Sequence, residues 1–165
     1  MGISIDRENT CCFTGHREMS VAITDHLFNR VKDGINYLYS HDVKTYLTGG
    51  AIGFDTLAAK AVIERRSIYP DIKLILVIPC RDQTRAWRQA DIEAYENIKE
   101  LADKVICLSE NYYSGCMHRR NRYLVDNSSA CICYLTRTSG GTAYTVRYAR
   151  DKGLSIFNLA QGRKA

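Results

Sequence analysis

Ile72-Lys73-Leu74-Ile75-Leu76-Val77-Ile78, closed by Pro79, decides the fold of this chain. Six of these seven residues are apolar and four are β-branched, a composition suited to a short strand. A strand wet on one side alternates apolar and polar residues. A nearly continuous apolar run is what a strand shows when both faces are covered, as in a parallel sheet between two helix layers.

The neighbouring sequence repeats the same alternation. Residues 10–14, 43–47, 105–108, 130–135 and 154–159 read as further strands. Between the first two, Ile23, Leu27, Phe28, Val31, Ile35 and Leu38 hold helical spacing over residues 20–39. Phe54, Leu57, Ala58, Ala61 and Val62 mark a second helix, and residues 84–103, carrying Trp87, Asp91, Ile98 and Leu101, a third. Shorter helices are expected over residues 118–127 and 142–152, the last stopped by Gly153. Strand–helix alternation of this kind implies right-handed crossovers. The fold class is therefore α/β, a Rossmann-like doubly wound parallel sheet of about six strands with helices on both faces. One domain over residues 1–165 is expected, with a frayed tail over residues 160–165.

Composition narrows the function classes without choosing one. Hydrophobic content of 45% with 25% charged residues suits a water-soluble globular chain. Met1-Gly2-Ile3-Ser4-Ile5-Asp6-Arg7 lacks a signal-peptide pattern, and no apolar run approaches the ~18 residues of a membrane span. A cytoplasmic protein without a membrane partner is expected. Net charge is +5, and six arginines (Arg119, Arg120, Arg122, Arg137, Arg147, Arg150) crowd the last third. That suits an anion site. Long nucleic acid calls for a larger excess or a continuous basic stripe, so nucleic acid is expected to be an unlikely partner. The seven cysteines lie mostly in apolar runs with no C-x-x-C spacing, which points to buried thiols, no metal and no cofactor.

Three glycine turns carry the chemistry, each after a strand and before a helix. In such sheets ligands sit beyond the carboxyl ends of the strands, so the turns converge on one crevice. The first is Phe13-Thr14-Gly15-His16-Arg17, where Gly15 frees the backbone, Arg17 offers an anion contact and His16 orients a ring or a water. In the second, Gly49, Gly50 and Gly53 precede Asp55, which either caps its helix or accepts from ribose hydroxyls. Gln83 and Arg81 lie at the carboxyl end of a strand within reach of the crevice; Trp87 reads as core rather than a stacking platform.

The third turn, Ser139-Gly140-Gly141-Thr142, offers N–H groups and a hydroxyl at a helix N-terminus, a cradle for phosphate, with Tyr144 and Thr145 close by. Facing it, Met117-His118-Arg119-Arg120-Asn121-Arg122 opens a helix from which at most two side chains are expected to reach the crevice. Arg120 with Asn121 or His118 is the choice, leaving Arg119 and Arg122 in solvent.

As a set, the Phe13–Arg17 and Gly49–Asp55 turns, the Arg119-Arg120-Asn121-Arg122 helix and Gly140-Gly141-Thr142-Ala143-Tyr144-Thr145 resemble the SLOG superfamily, more narrowly its YpsA-like branch. The resemblance implies a Rossmann-like fold and ligands that are nucleotides or their derivatives. Relatives include the Lonely Guy phosphoribohydrolases, the DNA-processing protein of transformation, and domains of antiphage effectors that sense ADP-ribose-type signals. Met117-His118-Arg119-Arg120 echoes the Met-His-x-Arg helix of the Lonely Guy enzymes. Their catalytic glutamate, however, falls near Val146 or Arg147 here.

The expectation is therefore a nucleotide-binding sensor, sequestering or regulatory protein with no assigned catalytic residue. The alternatives are an N-glycosidase using Asp55, Asp82 or Asp126, and a protein associated with single-stranded DNA. Relatives commonly self-associate, which implies a homo-oligomer.

Overall fold

The computed structural model describes residues 4–160; the first three residues, and all of the tail expected at 160–165 except its first residue, lie outside that range. Six strands, β1 (Thr10–Gly15), β2 (Thr45–Thr48), β3 (Lys73–Ile78), β4 (Lys104–Cys107), β5 (Ala130–Tyr134) and β6 (Ser155–Asn158), form one sheet in the order β4-β3-β2-β1-β5-β6. Every neighbouring pair is parallel. Five helices alternate with them: α1 (Val21–Tyr39), α2 (Phe54–Arg65), α3 (Gln89–Leu101), α4 (Cys116–Asp126) and α5 (Gly141–Asp151). This is the doubly wound arrangement expected from the sequence.

Chain direction explains the two helix layers. From β1 the chain steps to β2, β3 and β4 toward one edge, then returns past β1 to β5 and β6. Right-handed crossovers in opposite directions place their helices on opposite faces. One core accordingly joins α1 and α2 (Val31, Ile35, Ala58, Val62) to Phe13, Tyr46 and Leu74. The other joins α4 and α5 (Leu124, Val125, Val146, Ala149) to Leu47, Ile75 and Val77. Successive residues of β3 alternate between these cores, which is why that strand is apolar throughout.

The cysteines follow the same period. Cys11 belongs to the first core; Cys12, Cys131 and Cys133 belong to the second. All seven thiols are free, six are buried and Cys107 is partly exposed.

Two segments differ from the sequence reading. The third helix begins at Gln89, not near residue 84. Residues 81–86 form turns instead, with Arg85 N–H donating to the Asp82 carbonyl at 3.2 Å and Trp87 N–H to the Thr84 carbonyl at 3.0 Å. Asp82 also accepts from the Tyr112 amide at 3.1 Å, a long-range contact that no local pattern reveals. The second strand starts at Thr45, because Asp42 takes a positive φ of 65° and the chain is still turning out of α1.

Candidate functional site

The order of strand addition reverses between β1 and β5, and there a crevice of about 450 Å³ opens at their carboxyl ends. It is built from four segments: the turn after β1, the turn from β2 into α2, the first turns of α4, and the loop from β5 into α5. Eleven of the expected site residues line it: Gly15, His16, Arg17, Asp55, His118, Arg120, Asn121, Ser139, Gly140, Gly141 and Thr142.

The α5 end is the most open part. Gly140 caps the helix in a conformation with φ 99°, and no side chain bonds to the first-turn amides. Ser139, Gly140 and Gly141 are exposed, and no heavy atom lies within 4 Å of where a Cβ would stand at either glycine. Uncapped amides at the positive end of a helix dipole are a ready anion site.

The same crevice is lined by cations. The guanidinium groups of Arg17 and Arg137 have no hydrogen-bond or ion-pair partner among the described residues. Arg137 is a site residue that the sequence reading missed. It had been counted only among the arginines of the last third, although it stands two residues before Ser139, past the end of β5. Glu18 also lines the wall and was not singled out.

Arg120 has a second task. It is only 4% exposed, and its Nη1 donates to the Gly49 carbonyl and, at 3.5 Å, to that of Val77, while its Nε donates to Asn121 Oδ1 at 2.9 Å. The guanidinium thus ties α4 to the ends of β2 and β3, with Nη2 unbonded to any described residue. Gly49 is required by this contact, because a Cβ there would stand 2.5 Å from Nη1. Burial lowers the Arg120 pKa and the Asp55 charge opposes that shift.

Asp55 is 8% exposed and accepts from the Ala51 amide at 3.1 Å. Burial raises its pKa above the ordinary carboxylate value, against the opposing effects of Arg120, the Ala51 amide and Arg17.

His16 is fixed by its partners. The Thr136 amide donates to its Nε2 at 2.9 Å, so that nitrogen is an acceptor and the proton sits on Nδ1. Tyr134 packs edge-on to the ring at 5.8 Å. Burial, then Arg137, lowers the His16 pKa from 6.5, so the folded state binds this proton less readily than the unfolded chain. The stability contribution is complete above the unfolded value of 6.5 and is lost as pH falls from there toward the folded value. Between about pH 7 and about pH 5, the wild type should lose more stability to urea than a His16→Gln variant does. Equal losses would contradict the tautomer assigned here.

Five expected residues are elsewhere. Gly49 lies under Arg120, Gly50 against Gln83 and Tyr95, and Gly53 against the Arg17 backbone. The Tyr144 hydroxyl accepts from Arg122 at 3.2 Å and its ring packs on His118, while Thr145 donates to the Gly141 carbonyl at 2.8 Å. The limit of two crevice side chains from the arginine helix is also corrected. Met117, Arg120, Asn121 and Leu124 stand at i, i+3, i+4 and i+7, one helical face, and His118 joins them. Arg119 instead donates to the Leu108 carbonyl at 3.0 Å, and Arg122 stays with Tyr144.

Of the carboxylates weighed for hydrolysis, only Asp55 reaches the crevice. Asp82 pairs with Arg85 at 3.1 Å, and Asp126 accepts from the Tyr148 hydroxyl at 2.8 Å. Val146 is buried in the core, and Arg147 donates to the Thr138 carbonyl at 3.4 Å. Among the described residues no group of three or more His, Cys, Asp or Glu is placed to hold a metal ion, and no helix is long and apolar enough to cross a membrane.

Known proteins share this architecture. DNA processing protein A of Helicobacter pylori, from a structure concerned with its single-stranded DNA binding mode, superposes with a TM-score of 0.66 at 17% identity, over 94% of this chain and 66% of that one. The protein of the same name from Streptococcus pneumoniae gives 0.66 at 18% identity, over 96% and 52%. At these identities the likeness shows the fold.

It also corrects the expectation that nucleic acid is an unlikely partner. One protein of this fold engages a single strand, and the charge argument was the wrong test: a short strand gripped at one or two phosphates needs a few placed cations, not a basic stripe.

Among sequence relatives, the chain is 26% identical over 117 residues to the uncharacterized SPbeta prophage-derived protein YoqJ of Bacillus subtilis, covering 64% of this chain and 68% of that protein. It is 28% identical over 130 residues to a UPF0398 protein of Bacillus cereus, covering 77% and 66%. The chain thus spans about two thirds of the length of these curated relatives. The family model YpsA, described as the YspA SLOG family, matches residues 11–155, nearly the whole of the described fold, and the chain belongs to that family.

Proposed function

We propose that the crevice between β1 and β5 binds the phosphate of a nucleotide, as the recognition step of a sensor, sequestering or regulatory protein. One observation carries this reading. Two guanidinium groups without a hydrogen-bond or ion-pair partner among the described residues, Arg17 and Arg137, line the same crevice as the uncapped N-terminus of α5. Cations free to bond, in one crevice with open amides, call for an anion. The crevice also has the size of small-ligand pockets, ~300–1,000 Å³. Asp55 and the hydroxyls of Ser139 and Thr142 supply polar contacts for a sugar beside that phosphate.

The fold of DNA processing protein A favours a second form of the same reading, in which the nucleotide is part of a single strand. Calorimetry separates the two. Adenosine monophosphate and ADP-ribose are compared with adenosine and with a short single-stranded oligonucleotide, at low and physiological salt. A phosphate-directed crevice binds the phosphorylated ligands at least about ten-fold tighter than adenosine, the size of one charge-assisted contact. Steeply salt-dependent binding of the oligonucleotide, tighter than that of either free nucleotide, selects the strand. Adenosine binding as well as its monophosphate overturns both forms.

Chromatography of the same mixtures should return the nucleotide intact, because the glutamate position is taken by Val146 and Arg147. Release of free base, abolished in Asp55→Asn, would make the site a hydrolase instead.

A further inference from the structure

A second cavity, of about 440 Å³, adjoins the crevice at the carboxyl ends of β2 and β3. The two share Arg17 and Met117 in their walls, so they are neighbouring compartments of one groove. We propose that this second compartment is a subsite for a nucleobase, and that the natural ligand is a dinucleotide: a phosphate in the crevice and a second nucleoside here, with the linkage passing Arg17. The proposal rests on the phosphate reading of the crevice and adds the ligand's second half.

The composition of the wall is the first argument. Trp87, Ile52, Ala86 and Met117 supply apolar surface, and Tyr112 stands beside them with Arg85 over its ring at 4.6 Å. Trp87 is half-buried rather than sealed in the core, its ring held edge-on by Tyr95 at 5.6 Å. An aromatic fixed in place at the edge of a cavity is a stacking platform for a flat ring. The sequence reading assigned Trp87 to the core, and the ring does pack against it, but the turns over residues 81–86 also bring the residue into the wall of the groove.

The second argument is an unpartnered acceptor. Gln83 lines the same cavity, and its Nε2 donates to the Gly50 carbonyl at 3.4 Å. Its Oε1 is buried and has no donor. Buried amide oxygens are nearly always satisfied, and a rotation of this amide that turns Oε1 toward the cavity would let it accept from a ligand N–H. Asp91, held only loosely by Arg88 at 3.7 Å, is a second acceptor in the wall. Two acceptors beside an aromatic suit a base bearing an exocyclic amino group. Arg17, between the compartments and unpaired, suits the linking phosphate.

Trp87 is the chain's only tryptophan, so its emission reports on this compartment alone. Adenosine monophosphate, a 5′-phosphorylated deoxyadenosine dinucleotide with a 3′,5′-phosphodiester, and a diadenosine joined by a 5′,5′-pyrophosphate are titrated by calorimetry and by fluorescence. One of the two dinucleotides should bind about ten- to a hundred-fold tighter than the monophosphate, the yield of one stacked base, and quench Trp87. The monophosphate should leave that emission unchanged. The preferred linkage tells a fragment of single strand from a pyrophosphate-linked small molecule.

In Trp87→Ala the preferred dinucleotide should fall to the monophosphate's affinity, whereas Trp87→Phe, which keeps a stacking face, should retain most of the advantage. Dinucleotides that bind no tighter than the monophosphate and leave Trp87 emission unchanged overturn the subsite while the crevice stands. Quenching that persists when Arg137→Ala has abolished monophosphate binding shows an independent pocket and overturns the spanning ligand. Silence from all three ligands removes both readings.

Discussion

Arg120→Ala is expected to lose both the ligand and part of the fold. The guanidinium lines the crevice with its Nη2 unbonded to any described residue, so a bound phosphate loses one charge-assisted contact, worth about 1.5–3 kcal/mol or ten- to a hundred-fold in affinity. Its Nη1 meanwhile holds the Gly49 carbonyl in a buried position. Removing the donor orphans that carbonyl, at a cost of about 1–3 kcal/mol, and leaves a void where the side chain lay. For a domain of this size that lowers Tm by roughly 3–10 °C. Arg122→Ala is the contrast. That side chain donates to the Tyr144 hydroxyl outside the crevice, and its loss should change affinity less than about three-fold. Calorimetry below the lower Tm, with thermal unfolding of both variants, reads the two effects separately. Equal binding losses from the two substitutions would mean that diffuse positive charge, and not a placed fork, attracts the ligand.

Gly53→Ala, beside the crevice, should be strongly destabilising. Gly53 has φ 82°, a region that costs a residue with a Cβ about 1–3 kcal/mol. Here the Cβ would also overlap the carbonyl oxygen of Arg17, a backbone atom that cannot move without carrying the His16-Arg17 turn with it. That turn is tied to α2, since the Phe54 amide donates to the His16 carbonyl at 3.1 Å. The strain and the overlap together should exceed about 3 kcal/mol, more than 6 °C in Tm. Gly141→Ala supplies the internal control: its backbone is helical and the space around it is open, so stability should stay within about 0.5 kcal/mol of wild type. A Gly53→Ala protein that melts with wild type would show that the two turns are not packed as described.

The sequence carried the fold because each element declares itself locally. The apolar run of β3, the helical spacing of α1 and the glycine turns all follow from which faces are covered. The start of α3 was not legible, because the contact that holds residues 81–86 in turns comes from Tyr112, far along the chain. The site was legible as far as chemistry and topology allow. Residues expected at strand carboxyl ends do line the one crevice, the α5 turn and Arg120 among them, although the burial of Arg120 was not foreseen. What failed was side-chain direction. Tyr144 and Thr145 follow the cradle by only a few residues, yet the helix turns them away from it, toward Arg122 and the Gly141 carbonyl. Arg137 failed for the opposite reason: it stands in an irregular loop with no periodicity to mark it, and only its position past β5 brings it into the same crevice as Arg17. Gly49, Gly50 and Gly53 do not line the crevice, and each is closely approached by protein: Arg120, the Gln83 and Tyr95 side chains, and the Arg17 backbone. A glycine turn reports that something approaches closely without saying whether it is ligand or protein.

The most direct test of the phosphate site is the behaviour of the backbone amides that build it. In a ¹H–¹⁵N correlation spectrum of the full chain, adenosine monophosphate should shift the amides of Gly140, Gly141 and Thr142 more than any others. The Arg17 and Arg137 side-chain N–H signals should move with them, and adenosine at the same concentration should leave the group in place. Shifts centred elsewhere, or the same shifts from adenosine, would contradict a phosphate seated at the N-terminus of α5.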